Sequence, residues 1–191
     1  MSPAGLLLAA GAGSRMGRPK ALVHDPDGTA WLPRSVAALA DGGCDPVTVV
    51  LGAAADQARV LVPGGVTVVV AEDWAEGMAA SLRAGLRALA DGPATPDAVV
   101  VGLVDLPDVG AEVVRRLVAA LDAAASGPGV LARAAFDGRP GHPVVLGRDH
   151  WDGVLATATG DQGARAYLAA HDVALVECGD LATGHDVDAR P

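Results

Sequence analysis

Short aliphatic or β-branched runs alternate along this chain with longer Ala/Leu/Arg segments of helical period, and that alternation leaves few folds open. Runs of four to seven such residues fit buried strands, and the segments between them fit crossover helices. The pattern therefore predicts βαβ units around a largely parallel sheet. Strands are expected at Leu6–Ala9, Val47–Leu51, Val66–Val70 and Ala98–Val104, and helices at Trp31–Ala40, Ala53–Val62, Met78–Ala90 and Ala111–Ala125. In the third helix Leu82, Leu86 and Leu89 fall on one face. After Ser126 the rhythm changes. Gly127-Pro128-Gly129 precedes a strand at Val130–Phe136, then a Gly/Pro-rich turn and an apolar stretch at Pro143–Leu146, the pattern of an antiparallel insertion. Helices at His150–Ala158 and Gln162–His171 lead to a last strand at Val173–Val176. No repeat or linker divides the 191 residues, which fit one domain.

Composition removes several classes of function. The chain is 51% hydrophobic yet has three Trp, one Tyr and one Phe, so its core is built from Ala, Val and Leu, and a base-stacking nucleic-acid module is disfavoured. Fourteen basic against twenty-three acidic side chains give a net charge of −9, which argues against a phosphate-backbone partner. Cys44 and Cys178 lie far apart with no C-x-x-C, so neither a disulfide scaffold nor a zinc site is indicated. The apolar stretch Leu6–Ala10 is too short for a signal-peptide core, and no later run reaches transmembrane length. A cytoplasmic protein with no membrane partner is expected.

The first strand runs straight into Ala9-Ala10-Gly11-Ala12-Gly13-Ser14-Arg15-Met16-Gly17-Arg18-Pro19-Lys20, whose last residue is the sole lysine of the chain. Glycines after a first strand let backbone N–H groups approach an anion, and Arg and Lys add charge for phosphate oxygens. A nucleotide-phosphate site follows. The dinucleotide fingerprint G-x-G-x-x-G fails, because Met16 stands where its third glycine belongs and no acid closes the second strand at Leu51. A Walker A loop fails as well, since Lys20 is neither preceded by glycine nor followed by Ser or Thr.

The string does resemble the L-x-A-G-x-S/G-x-R-M-G-x-x-K signature of the MobA-like and MocA-like nucleotidyltransferases of molybdenum-cofactor biosynthesis. Leu8, Ala10, Gly11, Gly13, Arg15, Met16, Gly17 and Lys20 match it. The resemblance implies a Rossmann-like nucleotide-diphospho-sugar transferase fold, an α/β three-layer α/β/α architecture with a mostly parallel mixed sheet. It implies a nucleotide-binding half over residues 1–110 and an acceptor-binding half over 111–191. The segment Leu8, Ala9, Ala10, Gly11, Ala12 and Gly13 would then hold the triphosphate, with the amides of Ala12 and Gly13 on its phosphates. Arg15 and Lys20 would neutralise the departing pyrophosphate.

Val99–Pro107 reads as an apolar strand ending in Asp105. Ligands of open α/β sheets sit beyond the carboxyl ends of strands, so Asp105 is aimed where the glycine loop points, and a hard carboxylate there suits Mg²⁺. The family's A/V-D-M/L-P motif matches, and by that resemblance Asp105 is catalytic and a metal ligand. The other reading is an Asp capping the next helix, a role open equally to Asp108. The terminal Asp186-Val187-Asp188-Ala189 resembles the family's D-x-D-T-P-E-D in part, which makes Asp188 a second ligand and Asp186 its supporting neighbour. By comparison with related cytidylyltransferases, Gly77 and Ser81 are base contacts. Arg139–Pro143 and Gly160–Arg165 resemble segments that mark the MocA-like branch, and there His142 and Arg165 would bind a phosphorylated acceptor.

The expected activity is Mg²⁺-dependent transfer of CMP from CTP to a phosphorylated small molecule, molybdopterin or its molybdenum complex. Three alternatives stand beside it. Guanylyl transfer from GTP is the nearest. The branch also resembles nicotine blue oxidoreductases, which use a reduced nicotinamide cofactor. The altered acidic end further allows a non-catalytic maturation factor that delivers cofactor to a molybdoenzyme.

Overall fold

The computed structural model describes residues 2–124 and 127–187. Among these, seven strands form one sheet: β1 (Ala4–Ala9), β2 (Val47–Leu51), β3 (Thr67–Val70), β4 (Ala98–Leu103), β5 (Leu131–Phe136), β6 (Arg139–Gly147) and β7 (Ala174–Glu177). Their spatial order is β3-β2-β1-β4-β6-β5-β7. β1 lies parallel to β2 and β4, β2 to β3, and β5 to β7, whereas β6 is antiparallel to both β4 and β5. The antiparallel insertion expected after Ser126 is this β5–β6 pair.

The central strands read as continuous aliphatic runs because helices cover both faces. Odd and even positions separate cleanly. Leu7, Val49 and Val100 pack with α1 (Trp31–Asp41) and α4 (Ala111–Ala124), whereas Leu6, Val50 and Val99 pack with α3 (Met78–Ala90), α5 (Trp151–Thr157) and α6 (Arg165–Ala169). Leu82, Leu86 and Leu89 are all buried on that second face. Ala125, where α4 was expected to end, lies outside the described residues.

Three expectations need correction. The helix expected over Ala53–Val62 is only α2 (Ala55–Arg59), since Ala54 enters it at φ 56 and Val60 beyond it is 82% exposed. The turn expected between β5 and β6 shrinks to Asp137 and Gly138, both at positive φ, and β6 begins at Arg139. Pro140 is accommodated where the β5–β6 register shifts between Arg133 and Ala135, a bulge that spares it a ladder N–H. Finally, Gly160–Gln162 is a 3₁₀ turn and Gly163 has φ 52, so α6 spans only Arg165–Ala169 of the expected Gln162–His171.

The chain visits β1, β2 and β3 in one direction and then crosses to β4 on the other side of β1. That reversal opens a crevice at the carboxyl ends of β1 and β4. β4 pairs only with Val144–Gly147 of β6, and Pro140, Gly141 and His142, outside that pairing, wall the crevice. Among the described residues no helix is long and apolar enough to cross a membrane.

Candidate active site

The glycine loop leaves β1 at the crevice. Met16 N–H donates to Gly13 O at 2.8 Å and Lys20 N–H to Gly11 O at 3.4 Å, folding the loop back onto its own start. Gly13 sits at φ +60, and a Cβ there would stand 2.0 Å from Arg18 O, so the turn closes only on glycine. Lys20 then opens a 3₁₀ turn whose next residue, Ala21, is fully buried, which fixes where the lysine emerges.

Asp105 approaches from the other strand. Val104 N–H donates to Leu8 O at 3.2 Å, extending the β1–β4 ladder by one rung, and Asp105 is the first residue beyond it. Lys20 Nζ donates to Asp105 Oδ2 at 2.5 Å, with both side chains more than four-fifths buried. Two residues read separately from the sequence, one for phosphate and one for metal, are thus held as an ion pair.

A cavity of about 290 Å³ is walled by the loop residues Leu8, Ala9, Ala10, Gly11, Ala12 and Gly13, together with Lys20, Asp105, Gly77, Ser81 and Trp74. Ser81 is buried in α3. Gly77 has φ +112, and a Cβ would lie 2.5 Å from the Gly160 carbonyl carbon. The residue expected to meet the base therefore also lets the Gly160–Gln162 turn close onto the start of α3. A wider cleft of about 790 Å³ shares Leu8, Lys20 and Asp105 and reaches Arg15, His142, Arg165 and Asp186.

Residues 183–187 are tied to this cleft by hydrogen bonds. Thr183 N–H and Oγ1 donate to Asp108 Oδ2 at 2.7 and 2.6 Å, and Val187 N–H donates to Asp105 O at 3.0 Å. Asp108 accordingly holds the terminal segment and does not cap α4, which starts at Ala111. Asp186 reaches the cleft wall. Asp188, expected as the second ligand, lies outside the described residues. Among the described residues no group of three His, Cys, Asp or Glu is placed to hold a metal ion.

His142 is half-buried in β6. Burial, and then the charges of Arg133 and Arg165, pull it from 6.5 down to about 4. Between those values the unfolded chain takes up a proton that the folded chain refuses. Stability therefore rises with pH across that window and is lost as pH falls from about 6.5 to about 4. The loss is expected to be on the order of 2 kcal/mol, less than the full shift because the ring is partly exposed. Denaturant titrations of wild type and His142→Asn across this range check it, and identical slopes with pH would remove His142 as the cause.

Trp74, Asp161 and Arg133, to which the sequence assigns no role, also line these walls. For Arg133 the signal was present, a lone charge inside the apolar run Leu131–Phe136. Trp31 and Trp151 are buried, each with its indole N–H bonded, to Asp25 Oδ1 at 2.7 Å and Leu146 O at 3.0 Å. His150 bridges Gly129 O and the Tyr167 hydroxyl, and His171 stacks on Tyr167, so these two histidines have structural partners.

The model of the MobA-like NTP transferase domain matches residues 5–175. The chain belongs to the MobA-like NTP transferase family. It is accordingly a nucleotidyltransferase with a nucleoside triphosphate as substrate, on the Rossmann-like nucleotide-diphospho-sugar transferase fold. Nicotine blue oxidoreductase of Paenarthrobacter nicotinovorans is 38% identical to this MobA-like domain over 197 residues, covering 96% of this chain and 91% of its own. The crystal structure of Rv0371c from Mycobacterium tuberculosis H37Rv is 31% identical, with a TM-score of 0.77 over 99% of this chain and 93% of that one. The complex of that M. tuberculosis protein with manganese aligns at 28% identity, with a TM-score of 0.75 over 98% and 94% of the two chains.

Proposed function

We propose that this MobA-like domain transfers CMP from CTP to the phosphate of a small acceptor, molybdopterin or its molybdenum complex, with residues 1–110 holding the nucleotide and 111–191 the acceptor. The observation that carries this reading is the Lys20–Asp105 pair at the mouth of the glycine loop, which puts a cation for phosphate and a hard anion for metal side by side. Leu8, Ala9, Ala10, Gly11, Ala12 and Gly13 cradle the triphosphate through backbone, and Gly77 and Ser81 face the base. Arg15 and Lys20 stabilise charge on the pyrophosphate. His142 and Arg165 receive the acceptor.

Magnesium fits the donor set. Mg²⁺ keeps several waters and needs only one or two carboxylates besides substrate phosphates, and Asp105 and Asp186 share one cleft. The manganese complex of the M. tuberculosis relative supports a divalent cation. Bound there, the ion would neutralise triphosphate charge, with Asp105 and Asp186 holding it and Asp188 proposed as a further ligand.

In the transfer an acceptor phosphate oxygen attacks the α-phosphorus, the bond from the α-phosphorus to its bridging oxygen breaks, and pyrophosphate leaves with that oxygen. The nucleophile is already deprotonated at neutral pH, so no general base is required. Orientation and charge neutralisation carry the rate. GTP in place of CTP is the alternative donor, decided by the hydrogen bonds to the base.

A second reading rests on the 38% identical relative, whose name denotes an oxidoreductase. A nicotinamide dinucleotide would then occupy the cavity. Against it, β2 ends in Leu51-Gly52 with no acid for a ribose, and Met16 replaces the third glycine of the fingerprint.

Trp74 supplies the test. It lines the cavity while Trp31 and Trp151 are buried elsewhere, so nucleotide binding should change its emission alone. Titrating CTP, GTP and NADPH with and without Mg²⁺, with Trp74→Phe as control, is expected to give a metal-dependent response to CTP. A response to GTP instead renames the base. A metal-independent response to NADPH alone overturns nucleotidyl transfer, and nucleotide binding with no pyrophosphate release from the triphosphate in the presence of any of a panel of phosphorylated acceptors favours the maturation factor.

A further inference from the structure

Arg133 is a charged residue on the inner part of the sheet. It sits in β5 between buried Ala132 and Ala134, lines the wide cleft, and donates Nε–H to Gly141 O at 3.0 Å. That bond fixes the plane of the guanidinium and leaves its terminal N–H groups for the cleft. Arg165 and His142 line the same cleft from α6 and β6. Among the described residues neither Arg133 nor Arg165 has a carboxylate within 4.0 Å, although Asp161 and Asp186 line the same cleft.

Two guanidiniums and an imidazole are thus gathered in one cleft, and among the described residues neither arginine is ion-paired. Burial weakens Arg133's hold on its proton, Arg165 adds to this, and both arginines act in the same direction on His142. Unpaired charge of this kind costs stability, and a fold retains it where a ligand supplies the missing charge. The geometry identifies that ligand's chemistry. A pinned guanidinium presents a planar fork suited to two oxygens of a phosphate, and a second arginine and an imidazole add donors around it. Leu82, Val144, Leu146 and Leu168 line the same cleft, so apolar surface is present there for the body that carries the anion.

We infer that Arg133, with Arg165 and His142, forms an anion subsite for the phosphate monoester of the acceptor, and that Arg133 discriminates phosphorylated acceptors from their dephosphorylated forms. This rests on the reading of the cleft as the acceptor side of a nucleotidyl transfer. A fork on two oxygens leaves the third free to attack the α-phosphorus, so binding and reactivity are compatible.

Inorganic phosphate is the probe, titrated calorimetrically into wild type, Arg133→Gln, Arg165→Gln and Lys20→Ala. Saturable binding to wild type is expected, at least about tenfold weaker in Arg133→Gln, weaker also in Arg165→Gln, and weakened less in Lys20→Ala than in Arg133→Gln. Absence of binding to wild type overturns the inference, as does equal affinity in Arg133→Gln. Loss of binding in Lys20→Ala alone overturns it too, by moving phosphate to the glycine loop. Should Arg133→Gln fail to fold, exposed Arg165 carries the test, and undiminished affinity in Arg165→Gln is then the refuting result. The Trp74 titrations with CTP separate the two readings: a chain that holds phosphate at Arg133 but binds no nucleoside triphosphate keeps the subsite and loses the transferase assignment.

Discussion

Lys20→Ala is expected to slow pyrophosphate release at least about 100-fold, the equivalent of about 3 kcal/mol of transition-state stabilisation. The magnitude follows from position. The ammonium is more than four-fifths buried beside Asp105, and it begins a 3₁₀ turn whose next residue, Ala21, is fully buried, so the packing beneath the turn sets where the charge stands. Asp105→Asn should cost a similar factor, because the amide keeps the shape and loses the charge that draws a divalent ion. The two losses should not add. Lys20 and Asp105 contact one another at 2.5 Å and serve the same phosphates, and groups that act as a unit give a double variant little worse than either single one. Pyrophosphate release from the two single variants and the double variant, at saturating Mg²⁺, measures this. A double variant slower by the product of the two factors would show that the pair is accidental and that each residue acts alone.

That pairing illustrates how much of the site a reader of the sequence can reach. Lys20 and Asp105 were each legible, the first as the one lysine after a glycine loop and the second as an acid closing an apolar strand. Both are local signals. Their contact is not local. It depends on β4 lying beside β1, with Leu7 opposite Gly102 and Leu8 opposite Leu103, a register that hydrophobic pattern alone leaves open. The same holds for Asp186. Its acidity was visible, but its route into the cleft runs through backbone bonds from Val187 to Asp105 and from Thr183 to Asp108.

The sheet itself was readable because both its faces are covered. Continuous runs such as Val47–Leu51 have no polar alternation to obscure them, and β2 spans those residues as expected. The errors fall where a backbone angle overrides side-chain pattern. Ala54 and Gly163 both lie in the left-handed region and each cuts short a helix that residue composition would extend. Arg133 was passed over for the opposite reason: within β5 it looks like a single polar interruption, and only the cleft on the far side of β6 gives that charge a use.

Gly13→Ala is the second large effect. Alanine at φ +60 costs about 1 kcal/mol for the left-handed conformation, and its methyl would have to enter space 2.0 Å from Arg18 O, which is backbone and cannot swing aside. The loop must therefore open, and opening breaks the Met16-to-Gly13 and Lys20-to-Gly11 closures on which the phosphate cradle depends. The core is untouched, since Gly11–Gly13 are not buried and the packing that carries the fold lies under Leu6, Leu7 and their neighbours. The expected outcome is a melting temperature within a few degrees of wild type and nucleotide affinity weakened about 100-fold, read by the emission of Trp74. The neighbouring Gly11→Ala provides the contrast, because a Cβ at Gly11 meets no atom within 4 Å and should leave the loop closed. Equal losses in the two variants would mean that the ligand needs glycine for close approach at both positions. A loss confined to Gly13→Ala would locate the requirement in the turn itself, and so in the delivery of Lys20 to the cleft.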